Sequence, residues 1–241
     1  MLKGEKMIEI IEKTDSTNEY LKNKKNKSNY CGVIAKKQTK GRGTRGRIWF
    51  ADEGSLIFSF VIKEDKNISM LEYLKLPLIV GMSLLKTLTE LEDLPFMFKW
   101  TNDIYLYDKK LSGILVEKIG DEFIVGIGLN LNCKEFYELS NIATSIYLHS
   151  SKEYNKIKVA ENIIKNTKMY MDKFYKGKWQ EILGEINIYN YLKNKEIKFY
   201  SHEIEYEGIG QDIDKDGSMT LLVNNKILKF QVGEASTRKR N

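Results

Sequence analysis

Cysteine, histidine and arginine are all scarce in this chain. Its 241 residues hold two, two and five of them. Cys31 and Cys133 stand far apart without metal-ligand company, so they read as ordinary thiols of a reducing compartment. His149 and His202 stand apart from each other, which argues against chemistry built on a histidine triad. Long apolar runs are missing too: none approaches the ~20 residues that cross a bilayer. The first residues lead into a short alternating stretch and not into a signal-type apolar core. These absences together predict a cytoplasmic chain with no membrane partner.

What is present fits one core with a small appendage. Hydrophobic residues make up 42% and charged residues 30%, the balance of an ordinary soluble domain. The net charge of +6 comes from 34 lysines spread along the whole length. That pattern suits a solvated surface, and it also suits faster encounter with an acidic partner. Arginine is not spread. Arg42, Arg45 and Arg47 fall within Gly41-Arg42-Gly43-Thr44-Arg45-Gly46-Arg47, closed by Trp49, and only Arg238 and Arg240 lie elsewhere. Arginine supplies a planar, permanently charged fork that grips phosphate or carboxylate through paired hydrogen bonds. With three glycines beside it, the segment reads as a flexible lid or clamp over an anion.

The patterning predicts strands over 7–12, 33–35 and 55–63, and a helix opening at Ser16 with Glu19 completing a capping box. A helical pattern covers 71–91, with Leu74, Leu78, Met82, Leu85 and Leu88 on one stripe and Pro77 at its start or at a kink. Strands over 96–100, 104–107, 111–117 and 123–131 follow, with a hairpin turn at Asp108-Lys109-Lys110. Helices are expected over 156–175 and 178–185. From Tyr191 the text changes to short strands over 196–200, 203–208, 219–223 and 227–232, separated by turns such as Asp214-Lys215-Asp216-Gly217. That tail reads as a small β-barrel packed on the main unit. The expected division is 1–190 and 191–241.

Four clusters carry chemistry. Ser16-Thr17-Asn18 begins a helix, where free N–H groups and the positive dipole end meet a ligand as readily as a cap. The second runs from Gln38 to Trp49 and also admits a solvated basic loop or a nucleic-acid patch. In the third, Lys99-Trp100-Thr101-Asn102-Asp103 precedes Lys110-Leu111-Ser112-Gly113-Ile114-Leu115-Val116-Glu117. There Asp103 suits Mg²⁺ or the orientation of Lys110, and Lys110 suits a carboxylate and a phosphate together. Gly113 lets the strand approach a flat ligand. The fourth is Gly126-Ile127-Gly128-Leu129-Asn130-Leu131-Asn132. Its two alternate glycines signal crowding, and its asparagines can read a base or ribose edge.

In this order the four clusters resemble the biotin protein ligase family, the biotin–[acetyl-CoA-carboxylase] ligases. Its strings are S-T-N; Q-T-x-G-R-G-R-x-G-R-x-W; K-W-P-N-D-[IL]-Y with K-[IL]-x-G-[IL]-L-x-E; and G-[IL]-G-[IL]-N-[VL]-N. Ala143-Thr144-Ser145-Ile146 and Gly233-Glu234-Ala235-Ser236 are similar to two further family strings, so the resemblance runs nearly end to end. Thr44 stands where many members have arginine, and Thr101 where proline is usual. The first string begins at residue 16, so the resemblance implies the short type without a DNA-binding domain, and no DNA partner.

The resemblance implies an α+β fold. Its catalytic domain is like that of class II aminoacyl-tRNA synthetases, a mixed sheet flanked by helices, and a small SH3-like β-barrel follows. It implies two reaction steps. Biotin and ATP give biotinyl-5′-AMP and pyrophosphate, and the biotinyl group then passes to a lysine of a biotin carboxyl carrier protein. Both steps gather negative charge, so placed cations in a dry site matter more than an enzyme nucleophile. Ser16, Thr17, Asn18 and Gln38 would bond the biotin head, with Arg42, Gly43, Thr44, Lys110, Gly113 and Leu115 completing its site. Arg42 and Lys110 would bridge carboxylate and α-phosphate as catalytic residues, with Asp103 supporting Lys110 or Mg²⁺. Arg45, Arg47, Trp49, Asn102, Asn130 and Asn132 would face ATP. The implied protein is a monomer or homodimer. Two other readings stay open: a lipoate or octanoate ligase-transferase of the same fold, and a basic nucleic-acid-binding module.

Overall fold

The structure is a computed structural model that describes residues 7–201, 204–231 and 235–239. His202, Glu203, Val232, Gly233 and Glu234 lie outside the described residues, so the edges of two expected strands and the start of the last family string do as well.

Strand β1 (Ile8–Thr14) pairs in parallel with β2 (Gly32–Gln38), and parallel neighbours need a crossover, here helix α1 (Thr17–Asn23). Strand β3 (Leu56–Lys63) and helix α2 (Leu76–Leu91) follow, then β4 (Phe96–Lys99), β5 (Asp103–Leu106), β6 (Lys109–Ile119) and β7 (Glu122–Leu129). The seven strands form one sheet in the order β1-β2-β3-β7-β6-β5-β4, antiparallel apart from its first pair. Helices α3 (Tyr147–Ser150), α4 (Lys156–Tyr175) and α5 (Trp179–Ile188) complete this unit. A second sheet holds β8 (Glu196–Ser201), β9 (Ile204–Ile213), β10 (Met219–Val223), β11 (Lys226–Phe230) and β12 (Ala235–Lys239), all antiparallel, in the order β11-β10-β9-β8-β12. The α+β expectation, a mixed sheet flanked by helices with a small all-β unit after it, matches this architecture.

The period of two along β3 sorts the two faces of the main sheet. Leu56, Phe58, Phe60 and Ile62 point to the helices and join the buried core with Leu78, Leu85, Ile163 and Ile182. Each such side chain contributes about 1.5–3 kcal/mol by leaving water, so this layer supplies most of the stabilisation. Val61 points the other way and packs with Leu21 of α1, Val33 and Ile124. Beside that small cluster the same face is left open, and the four sequence clusters meet there.

Two local expectations are corrected, and the open choice for Pro77 falls to the helix start. The stripe on α2 does not include Leu74, which is exposed in a 3-10 turn before the helix. Pro77 sits in the first turn, where its missing N–H costs nothing, and α2 is buried nearly all round. The hairpin turn lies at Tyr107 and Asp108, both at positive φ, ahead of Lys109 and Lys110, which already belong to β6. The described helices include none long and apolar enough to cross a membrane.

Candidate functional site

At the head of the open face, the backbone enters α1 through Ser16 in extended conformation, with no side-chain cap bond. The capping box does not form, because the Glu19 carboxylate goes to Lys22 and Arg42 instead. The cap comes from another strand: Gln38 Oε1 accepts from the Thr17 N–H at 2.9 Å. Ser16, Thr17 and Asn18 are all buried. Ser59 Oγ lies 2.7 Å from Thr17 Oγ1 and donates to Asn18 Oδ1 at 2.6 Å. Asn18 Nδ2 in turn donates to Glu117 Oε2 at 2.7 Å. Both ends of the Asn18 amide are therefore held, and Gly126 explains how it fits: a Cβ there would stand 2.4 Å from Asn18 Oδ1.

The floor is built by β6 and β7. A Cβ on Gly128 would stand 2.3 Å from Trp49 Cε2, and one on Gly113 would stand 3.2 Å from Trp49 Cζ3, so the alternate glycines let the indole lie against the sheet. The Trp49 indole Nε1–H is buried without an acceptor. Lys110 Nζ stands 5.7 Å from the Trp49 ring centre and 2.7 Å from Asp103 Oδ1. That last contact lacks hydrogen-bond alignment and the Oδ1 atom has no hydrogen-bond donor, so charge alone holds the pair. Asn102 Nδ2 donates to the Ile114 carbonyl at 2.8 Å, tying the turn after β4 to β6.

The arginine segment is a tied flap. Gly43 N–H donates to Arg47 O at 2.7 Å and Trp49 N–H to Gly41 O at 3.0 Å, with Arg42 and Ile48 bridged antiparallel. The tip turns through Arg45 at φ 60 and Gly46 at φ 73. Thr44 has a role of its own: its hydroxyl accepts from Arg47 Nη2 at 2.9 Å and its carbonyl from Arg47 Nε at 3.2 Å. Arg42 Nη1 reaches Glu19 Oε1 at 2.9 Å.

These parts enclose a cavity of about 830 Å³. Ser16, Thr17, Asn18, Gln38, Arg42, Gly43, Thr44, Arg47, Trp49, Asn102, Lys110, Gly113, Leu115 and Asn130 all line it. Arg45 and Asp103 do not line it; Asp103 stands behind Lys110. The expectation that Asn132 faces a nucleotide is corrected, because its amide donates to Tyr154 O and accepts from Tyr154 N, both at 2.9 Å, away from the cavity. Asn130 is buried at the edge with Nδ2 on Thr144 O at 3.0 Å. The segment through Ile142 and Thr144 is strapped to the Lys110 backbone by two hydrogen bonds. Among the described residues no three His, Cys, Asp or Glu side chains gather as a metal cage. His149 stands outside the lining, on Thr144 Oγ1 at 2.8 Å.

In the sequence Ser59 has no place in the site, and Glu117 and Lys99 have a place in the third cluster but no role. Ser59 sits in a strand that reads as pure core, and only its odd polarity marks it. Lys99 Nζ donates to Tyr105 Oη at 3.0 Å and stands 4.5 Å above that ring. Burial pushes its pKa down to about 8, opposed by Asp103 and reinforced by Lys110, Arg47 and Lys195. The sign of the resulting pH dependence follows. Between about pH 8 and the ordinary lysine value, the unfolded chain holds a proton on this group that the folded chain has released. Stability due to Lys99 therefore rises with pH across that window, and its burial penalty is full below it. Chemical denaturation at pH 7.5 and 9.5 should show Lys99→Met more stable than wild type at the lower pH, with the gap closing at the higher one.

Comparison with known proteins agrees with this geometry. Residues 10–133 match the model of the biotin/lipoate A/B protein ligase family. A biotin protein ligase from Aquifex aeolicus in complex with biotin and ATP superposes with a TM-score of 0.89 at 32% identity, covering 97% of this chain and 99% of that one. The bifunctional ligase/repressor BirA of Escherichia coli is 28% identical over 96% of this chain and 74% of its own length. A biotin–[acetyl-CoA-carboxylase] ligase of Mycobacterium tuberculosis is 31% identical over 53% of this chain and 50% of its own. The chain belongs to the biotin/lipoate A/B protein ligase family.

Proposed function

We propose that this protein is an ATP-dependent biotin–[biotin carboxyl carrier protein] ligase. The biotin carboxylate attacks the α-phosphate of ATP, forming biotinyl-5′-AMP and releasing pyrophosphate. The ε-amine of one carrier lysine then attacks the acyl carbon, the bond to AMP breaks, and a proton leaves the amine. The observation that carries the reading is the convergence of four separate sequence strings on one cavity whose wall holds Lys110, Arg42 and Arg47.

The chain's own groups bind, orient and exclude water. Ser16, Thr17, Asn18 and Gln38 offer hydrogen bonds to the biotin head, with Gly43, Thr44, Gly113 and Leu115 shaping its walls. Lys110, aimed by Asp103, and Arg42 offset the charge that develops between carboxylate and α-phosphate, where fixed donors in a dry site act most strongly. Arg45 and Arg47 serve the outer phosphates or the order of the flap. Trp49 covers the ligand, and closure of the flap shields the anhydride from hydrolysis. Asn102 and Asn130 offer their Oδ1 atoms to the nucleotide. Mg²⁺ fits as a companion of ATP and not as a resident of the protein. Asp103 stands behind Lys110 and could reach such an ion only at the expense of that pair, so the ion would take its ligands chiefly from phosphates and water. When bound it would neutralise phosphate charge.

The catalytic unit spans 1–190 and the small sheet 191–241. The protein works in the cytoplasm as a monomer or homodimer, with no DNA partner. Two measurements test the function. Labelled pyrophosphate should exchange into ATP only when biotin is added. Mass spectrometry of a carrier protein incubated with MgATP and each acid should show biotin on one lysine and no lipoyl or octanoyl adduct. Lipoyl or octanoyl transfer in place of biotin would reassign the substrate. Salt-sensitive DNA binding without biotin binding would reassign the class.

A further inference from the structure

A chain of charges joins the head of the cavity to the arginine flap. It starts at Asn18, whose Nδ2 donates to Glu117 Oε2 at 2.7 Å. Lys22 Nζ donates to Glu117 Oε1 at 2.7 Å and to Glu19 Oε1 at 2.8 Å. The same Glu19 oxygen accepts from Arg42 Nη1 at 2.9 Å. Three elements are crossed: α1, β6 and the flap. At Glu117, burial opposes the charge, but the bonds from Lys22 and Asn18 outweigh it and hold the carboxyl below its ordinary range.

The links differ in exposure. The Lys22 side chain is 18% exposed, whereas that of Arg42 is 53% exposed. The Arg42 link is thus the weak one, screened by solvent and salt. It is also the one that can open without loss elsewhere. If Arg42 swings toward an anion in the cavity, Glu19 keeps Lys22 as its cation and Glu117 keeps both of its donors. No carboxylate is stranded. The Asn18 amide stays fixed in one orientation, since Ser59 holds its oxygen and Glu117 its nitrogen.

We propose that Glu19, Lys22 and Glu117 form a positioning relay: Glu117 sets the Asn18 amide, and Glu19 stores the Arg42 guanidinium at the cavity mouth until an anionic ligand takes it. The relay rests on the biotin-ligase reading for its ligand, but its resting state does not. Two arms of one experiment separate them. In the first, wild type and Glu19→Gln are digested briefly with trypsin in the absence of ligand, and cleavage after Arg42 is followed by mass spectrometry. Release of Arg42 should speed that cut about 2- to 5-fold, the worth of one exposed ion pair. An unchanged rate overturns the storage role whatever the enzyme's substrate.

In the second arm, calorimetry measures biotin binding. Glu19→Gln should bind about 2- to 5-fold more tightly than wild type at low salt, with the gain shrinking at high salt. The gain should vanish when Arg42→Ala is the background. Glu117→Gln should weaken binding about tenfold in either background, because the Asn18 amide loses a charged acceptor. A gain that persists without Arg42, or a Glu117→Gln variant that binds like wild type, overturns the relay. Failure of wild type itself to bind biotin refutes the ligase reading and leaves the trypsin result to decide the relay. Melting curves of Glu19→Gln should stay close to wild type, since the half-buried Glu19 side chain makes only partly screened pairs; Glu19→Ala serves as the second variant.

Discussion

Lys110→Ala should lower biotin-dependent pyrophosphate exchange by about 10²–10³-fold, the usual cost of removing one fixed donor from a developing anion. The loss should fall on the rate of adenylate formation, with the cavity otherwise intact. The Lys110 side chain is 28% exposed, and its removal leaves no void in the core. It does leave Asp103 with a buried, uncompensated oxygen. The single variant should therefore lose about 1–3 kcal/mol of stability, the penalty of an unsatisfied buried group. Adding Asp103→Asn should recover most of that stability and none of the activity. The pair of variants separates the two roles of the lysine. Near-normal exchange by Lys110→Ala would remove it from the mechanism.

Gly126→Ala should be the most damaging conservative change on the floor. The new methyl would meet Asn18 Oδ1 at 2.4 Å and Cγ at 3.0 Å. Asn18 has nowhere to retreat, since Ser59 and Glu117 grip its two ends and the residue is buried. Overpacking of this kind costs about 1–3 kcal/mol. The larger effect falls on the ligand, because the amide must turn away from the cavity head. Biotin affinity should drop about 100-fold, as expected when two buried hydrogen bonds are lost together. Calorimetry checks the affinity and thermal melting the stability. A Gly126→Ala protein that binds biotin like wild type would show that Asn18 plays no part in recognition.

The sequence made the site legible because each piece breaks a local rule. Three arginines in a lysine-rich chain, glycines at alternate strand positions and asparagines at strand ends all conflict with their element unless a ligand explains them. The core strands were readable for the opposite reason, as β-branched and aromatic runs. What stayed hidden was long-range pairing. Glu19 reads as the partner of Ser16 three residues back, yet the fold brings Arg42 and Lys22 closer, and charge pairing outweighs the local cap. Gln38 reads as a ligand contact and does line the cavity, but its second role was hidden: parallel pairing of β1 with β2 sets its side-chain Oε1 over the first turn of α1. Asn132 reads as the twin of Asn130 by period two. The strand ends at Leu129, so the period lapses and the second amide turns to Tyr154. Ser59 carried no signal beyond being polar in apolar company, and Lys99 opened the third string without a role attached to it.

The turn between β9 and β10 reaches back to the seven-stranded unit. The indole of Trp100 donates to Gly217 O at 3.0 Å and that of Trp179 to Lys215 O at 2.7 Å. Trp100 directly precedes Thr101 and Asn102, and Asn102 lines the cavity. Truncation after residue 190 would orphan both indoles and bare the apolar flank they seal. The small sheet is thus a keystone and not a detachable module, and thermal melting of the full chain should show a single transition.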